Sequence, residues 1–225
     1  MDDELVDVEP CSPACAELLD RRGHLALLVS PGNPYYSVSR LTTMLRWART
    51  EMNGVDVVVS DLDMTAVTYL GQGRPRKEAY KKAHADVRQM ASRIRRARDA
   101  ASAGDTRVSE FKDWVDHPQY HRARDRLRRA TEHPHYRRLF RQGTRTALKA
   151  NMPDEWEPTE QQIDTGLLHS ERALPFILNA AAILGVPEAV CAYSRPAPQV
   201  TYFFAENSRY TAFPGQGYLG LRVRE

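Results

Sequence analysis

"HLALLVSPGNPYYSVSRLTTMLRW", residues 24–47, decides how the rest of the chain is read. His24 to Ser30 is short, nearly all apolar, and bounded by Gly23 and by Pro31-Gly32. That is the signature of a strand buried on both faces of a sheet. From about Tyr35 to Met52 the pattern turns helical, with Leu41, Met44, Leu45 and Ala48 on one side. "VDVVVSD" (55–61) repeats the buried-strand pattern and ends at Asp61. Strands alternating with helices predict an α/β fold: a Rossmann-like parallel sheet flanked by helices on both faces. In such sheets chemistry sits beyond the carboxyl ends of the strands, where Ser30, Asp61 and Tyr193 all fall.

Outward from that unit, further strands are expected at 106–111, 189–194, 200–205 and 217–223. Further helices are expected at 75–99, 118–131, 134–150 and 159–174. Thr159 and Gln162 form a capping box at the start of the last helix, and Pro175 should interrupt its end. Residues 1–20 read as a short, partly ordered lead-in with a possible helix, and 21–225 as a single domain. The helix at 75–99 is the clearest element. Tyr80, Ala83, Val87, Met90, Ile94 and Ala97 make a core stripe, and Lys77, Lys81, His84, Arg88, Arg95 and Arg98 make a basic stripe beside it.

The 225 residues carry 42% hydrophobic and 27% charged side chains, an ordinary globular composition. No apolar run is long enough for a membrane helix. The acidic start "MDDELVDVEP" lacks the regions of a signal peptide, so a cytoplasmic protein is expected, with no membrane partner. Three cysteines, Cys11, Cys15 and Cys191, lack metal-ligand spacing and read as reduced thiols, so no metal is expected. The net charge of +3 hides an asymmetry. Arg74 to Arg98 holds ten Lys/Arg and two acids, Tyr120 to Lys149 holds the same, and the remainder keeps 12 basic and 25 acidic residues. Like charges at i, i+4 cost stability, so such stripes point to a polyanionic partner held by its phosphates.

The chemistry is less explicit. Ser30 at a strand-to-helix turn has the setting of an exposed nucleophile near a helix N-terminus. Leu28 stands where the hydrolase elbow G-x-S-x-G requires glycine, so these residues alone favour a solvated turn serine over a nucleophile. A phosphate-binding P-loop, a G-x-G-x-x-G and the ATP-site signatures of class I aminoacyl-tRNA synthetases are all missing, so no ATP and no cofactor are expected. A serine hydrolase would leave the charge segregation without a purpose.

"SPGNPYYS" after the first strand, "VVVSD" at the second, the basic helix, "HPQYHRARDR", "ALPFILNAAAILGVP" and "VCAYS", in that order, resemble a cyclodipeptide synthase over roughly residues 20–222. The resemblance implies a fold related to class I synthetase catalytic domains. It implies two aminoacyl-tRNAs used in sequence, an aminoacyl-serine intermediate and a diketopiperazine product of secondary metabolism. By resemblance Ser30 is the nucleophile, Tyr193 the active-site tyrosine, and Asn33 occupies the subfamily-defining position of the turn. Lys77, Lys81, Arg88, Arg95 and Arg98 belong to the tRNA-binding helix. Leu28, Val58, Ser60, Trp114, Phe176 and Cys191 line the first amino-acid pocket, which implies an apolar first amino acid.

Four positions depart from the family pattern, one of them Ser194, where the subfamilies carry Gln, His or Pro. His169 and Ala173 replace a tyrosine and a glutamate that hold the substrate's amino group, and Leu28 replaces a glycine. Glu171 is two residues from Ala173, roughly 200° around a helix. In an active synthase His169, with charge from Glu171 or Asp61, takes over the amino group. The alternative is a member that binds aminoacyl-tRNA or a partner without cyclodipeptide synthesis. A monomer is expected.

Overall fold

The computed structural model describes residues 5–224. The strands β1 (Val6–Pro10), β2 (His24–Val29), β3 (Gly54–Val59), β4 (Arg107–Glu110), β5 (Ala189–Tyr193) and β6 (Gln216–Val223) form one sheet. Their order across it is β1-β6-β5-β2-β3-β4. β6, β5, β2, β3 and β4 run parallel, and β1 lies antiparallel to β6 at the edge. The chain leaves β2 toward β3 and β4 on one side, then returns to place β5 and β6 on the other. The order of strands therefore reverses between β2 and β5, which is where ligands bind in open sheets of this kind.

The helices are α1 (Pro13–Asp20), α2 (Val38–Glu51), α3 (Leu62–Gly71), α4 (Arg76–Ala100), α5 (Pro118–Glu132), α6 (Pro134–Lys149), α7 (Glu160–Leu184) and the short α8 (Pro198–Thr201). Side chains alternate across a strand, and the sheet splits its core accordingly. Leu25, Leu27, Val29, Val57 and Val59 pack with Leu41, Met44 and Leu45 of α2 and Met90 and Ile94 of α4. Ala26, Leu28, Val58 and Cys191 pack on the other face, with Leu127, Phe140, Phe176 and Ile177 from α5, α6 and α7. The expected α/β fold with helices on both faces is the one found.

Several expectations fail for identifiable reasons. Residues 200–205 are not a strand: α8 is followed by a 3-10 turn, Tyr202–Phe204. Pro198 sits at the first helical position, where its missing N–H costs nothing. The buried residues Val200, Phe203 and Phe204 follow helical spacing. Pro175 does not end α7, which continues to Leu184 and departs from helical geometry only at Asn179 (φ −148°). Leu174, Phe176, Ile177, Leu178, Ala180, Ala181 and Ile183 are all buried there. Burying each large apolar side chain contributes about 1.5–3 kcal/mol, enough together to outweigh the roughly 3 kcal/mol that an interior proline costs. The lead-in contributes the edge strand β1 as well as the helix α1. Helix α3 has no counterpart in the sequence reading. β3 stops at Val59, and Asp61 caps α3 by accepting from the Met64 amide at 2.9 Å.

Candidate active site

Ser30 follows β2, and its site begins in the turn that holds it. The Asn33 amide donates to the Ser30 carbonyl at 3.3 Å, closing a turn with Pro31 and Gly32 at its centre. Gly32 adopts φ +78°, a left-handed conformation that proline-glycine turns require. Asn33 Oδ1 accepts from the Tyr35 amide at 2.9 Å and leads the chain toward α2. The Tyr36 side chain is fully buried. Its hydroxyl accepts from the Ser194 amide at 3.2 Å, and so ties the segment after β2 to the segment after β5. Burial keeps the Tyr36 phenol protonated far above its ordinary range, with neighbouring Tyr193 acting in the same direction.

That tie sets the main contact of the site. Across the reversal point, Ser30 Oγ and the Tyr193 hydroxyl are 3.1 Å apart. Two residues before each of them along its strand stand Leu28 and Cys191, buried on the same face of the sheet. Val58, the neighbour of Leu28 in register, stands two residues before Ser60, which is also buried. Phe176 packs edge-on to Phe111 at 5.6 Å and lies 6.0 Å from Trp114. The Trp114 indole N–H donates to Ser109 Oγ at 3.3 Å. Leu28, Val58, Trp114, Phe176 and Cys191 thus share one apolar cluster adjoining the two hydroxyls. The same burial raises the Cys191 thiol far above its ordinary range, which leaves it inert as a nucleophile.

A polar group borders this cluster at α3 and α7. Asp61 is 2% exposed. Its Oδ1 caps α3 and lies 3.5 Å from Arg172 Nη1, while its buried Oδ2 finds no donor among the described residues. His169, half-buried on α7, places Nδ1 3.0 Å from the Met64 carbonyl and 3.1 Å from Thr68 Oγ1. A carbonyl only accepts, so Nδ1 carries the proton and Nε2 keeps its lone pair. Burial lowers the His169 pKa, outweighing the opposing effects of the Met64 carbonyl and Asp61. The ring is therefore neutral near pH 7, an acceptor at Nε2. Glu171 is exposed and joins none of these contacts.

On the opposite face, α4 buries Ala83, Met90, Ile94 and Ala97 as expected, with Tyr80 and Val87 at the margin. Lys77, Lys81, Arg88 and Arg95 are exposed and form no ion pair among the described residues. Arg98 differs: it is half-buried, and its guanidinium donates to the Ala103 and Gly104 carbonyls beyond the helix end. Sequence reasoning did not single out Tyr36 or Arg172. The adjacent tyrosines of "NPYYS" were the available signal for Tyr36, whereas nothing local marks Arg172.

Compared with known proteins, residues 6–223 match the family model described as cyclodipeptide synthase. The chain belongs to the cyclodipeptide synthase family. A Bacillus subtilis (strain 168) relative, a cyclo(L-leucyl-L-leucyl) synthase, is 28% identical over 221 residues, covering 94% of this chain and 87% of its own. A Streptomyces noursei cyclo(L-leucyl-L-phenylalanyl) synthase is 25% identical over 216 residues, covering 93% and 89%. Among solved structures, a Mycobacterium tuberculosis protein superposes with a TM-score of 0.86 at 23% identity, covering 98% of this chain and 94% of its own. That structure is described as demonstrating that cyclodipeptide synthetases are related to type I tRNA synthetases. Within the cyclodipeptide synthase family, Ser30 and Tyr193 of this member meet at the point where strand order reverses. No helix among the described residues is long and apolar enough to cross a membrane.

Proposed function

We propose that this chain condenses the aminoacyl groups of two tRNAs into a cyclic dipeptide through an aminoacyl ester on Ser30. The supporting observation is the 3.1 Å contact between Ser30 Oγ and the Tyr193 hydroxyl, above an apolar cluster. Ser30 Oγ attacks the ester carbonyl of the first aminoacyl-tRNA. The terminal ribose oxygen leaves and takes up a proton, with Tyr193 as the relay in this reading. The amine of the Ser30-bound residue then attacks the ester of the second aminoacyl-tRNA, releasing the second ribose hydroxyl and leaving a dipeptidyl ester. Its terminal amine attacks the serine ester, closes the six-membered ring and returns the Ser30 hydroxyl. Each ester is already activated, so the sequence needs no ATP. Splitting the condensation into successive transfers is the advantage of the covalent serine.

Asp61 and His169 suit the first substrate's ammonium group. A buried carboxylate oxygen without a donor costs about 1–3 kcal/mol, and an ammonium at Asp61 Oδ2 would recover it. Neutral His169 offers Nε2 as a further acceptor. The apolar cluster of Leu28, Val58, Phe176 and Cys191 favours an apolar first amino acid. The exposed cations of α4 suit the phosphates of tRNA, which are read by charge and shape.

The test is expression in bacteria followed by mass spectrometry of the medium. A diketopiperazine that is present with the parent and with Cys11→Ala, and absent with Ser30→Ala, supports the proposal. Ala173, an apolar side chain where the family pattern has a glutamate, supports the second reading, binding without synthesis. Retained tRNA binding with no product from any mixture of charged tRNAs would establish it.

A further inference from the structure

The turn that carries Ser30 is packed against a buried carboxylate, Asp86, that the proposed chemistry does not use. A Cβ placed on Gly32 would lie 2.6 Å from the Tyr69 hydroxyl and 3.0 Å from Asp86 Oδ2, so the glycine backbone rests directly on both groups. The Tyr69 hydroxyl donates to Asp86 Oδ2, and Lys82 Nζ pairs with Asp86 Oδ1 at 2.6 Å. Asp86 is 5% exposed, in the apolar stripe of α4 between Ala83 and Met90. A charge is rarely kept in such a stripe unless it is paired and hydrogen-bonded. The Tyr69 ring lies between two cations, with Arg74 at 5.5 Å and Lys82 at 5.7 Å from its centre. Burial, reinforced by Asp86, raises the Tyr69 pKa well above its ordinary value, so the phenol remains a donor.

We propose that Tyr69 and Asp86 are positioning residues for the nucleophile: together they clamp Gly32 and thereby fix the direction of Ser30 Oγ toward Tyr193. The inference rests on the synthase reading for its catalytic consequence. Only Pro31 separates Gly32 from Ser30, and the Ser30 carbonyl is held by the turn itself. A shift of Gly32 is therefore passed to Ser30 with little loss. Misplacing a reacting group by about 1 Å can cost on the order of a hundredfold in rate. The clamp also belongs to the helix that presents the basic stripe, since Lys82 and Asp86 lie one turn apart on α4. Phosphate-binding helix and nucleophile turn are thus held in one register.

Two measurements on the full chain test this. Hydrogen–deuterium exchange of the segment 30–37 should accelerate at least about fivefold in Tyr69→Phe, with β5 and β6 unchanged. Acylation of Ser30, followed by intact mass after mixing with charged tRNA, should slow about tenfold or more at unchanged tRNA affinity. Asp86→Ala should act in the same way, and Asp86→Asn should restore most of the rate because its amide oxygen still accepts from Tyr69. Tyr69→Phe removes one oxygen, and it decides the matter if Asp86→Ala does not fold. Exchange and acylation both within about twofold of the parent would overturn the clamp. A parent that takes no aminoacyl group overturns the synthase reading instead, and the exchange result then decides the clamp on its own.

Discussion

Ser30 and Tyr193 are 163 residues apart in the chain, yet their hydroxyl oxygens are 3.1 Å apart. Tyr193→Phe removes the only polar partner of Ser30 Oγ among the described residues. Single-turnover acylation should fall about a hundredfold with the melting temperature unchanged, and a rate near the parent's would remove Tyr193 from the chemistry. His169 makes a prediction in pH. Burial holds its pKa below the ordinary 6.5, so folding favours the neutral ring. As pH falls through the ordinary value the unfolded chain binds the proton first, and stability declines; above it the residue contributes nothing. His169→Gln should therefore lose less melting temperature than the parent between about pH 7.5 and pH 5.5. Equal losses in calorimetry would place the titrating group elsewhere. Ser30, Asp61 and Tyr193 were legible because each follows an apolar run at a predicted strand end. Tyr69 and Arg172 were not, because their partners depend on how α3 and α7 register with distant turns. Asp86 was half-legible: an acid at a core position of α4 announces a partner without naming it.

At the scale of elements, spacing proved a better guide than composition. "VTYFFA" has the residues of a strand but buries Val200, Phe203 and Phe204 at the intervals of a helix. Pro175 has the look of a helix end, yet the buried stripe on both sides carries α7 through it. Helix α3 escaped notice because its cap, Asp61, also completes an apolar run that reads as strand. Most of the basic stripe of α4 was legible, since period 3.6 places Lys77, Lys81, Arg88 and Arg95 beside the core residues, whereas Arg98 turns back to the Ala103 and Gly104 carbonyls. Replacing both Arg88 and Arg95 by Glu should weaken tRNA binding at least tenfold at low salt. It should also reduce the dependence of log affinity on log salt by about 2, roughly one for each lost phosphate contact. Filter binding across a salt series gives both numbers, and an unchanged slope would remove α4 from the tRNA interface.

Over the whole molecule, folding makes two segments of equal formal charge electrostatically unequal. Arg74–Arg98 and Tyr120–Lys149 each hold ten Lys/Arg and two acids. In the second, the acidic start of α7 and the loop before it neutralise much of α6. Arg141 pairs with Glu160 and Asp164, Arg145 with Glu157 and Glu160, and Lys149 with Glu157. In α4 the only ion pair among the described residues is Lys82 with Asp86, part of the clamp on the Ser30 turn. Exposed cations remain on α5, where Arg122, Arg124 and Arg129 lie on the other side of the sheet from α4, while Arg128 pairs with Asp125. Sequence counts cannot make this distinction, because the neutralising acids lie outside both basic segments and are brought in by the packing of α6 on α7. The consequence is a ranking. Arg141→Ala with Arg145→Ala should leave tRNA affinity within about twofold of the parent, because those charges are already spent on carboxylates. The melting temperature should fall only slightly, since exposed ion pairs screened by water contribute little. Alanine at Arg88 and Arg95 should show the reverse, with weakened binding and unchanged melting. If the α6 pair of substitutions weakened binding as much as the α4 pair, the tRNA would have to displace Glu157 and Glu160 from their arginines. The two arginines would then belong to the polyanion surface and α7 to its regulation by charge.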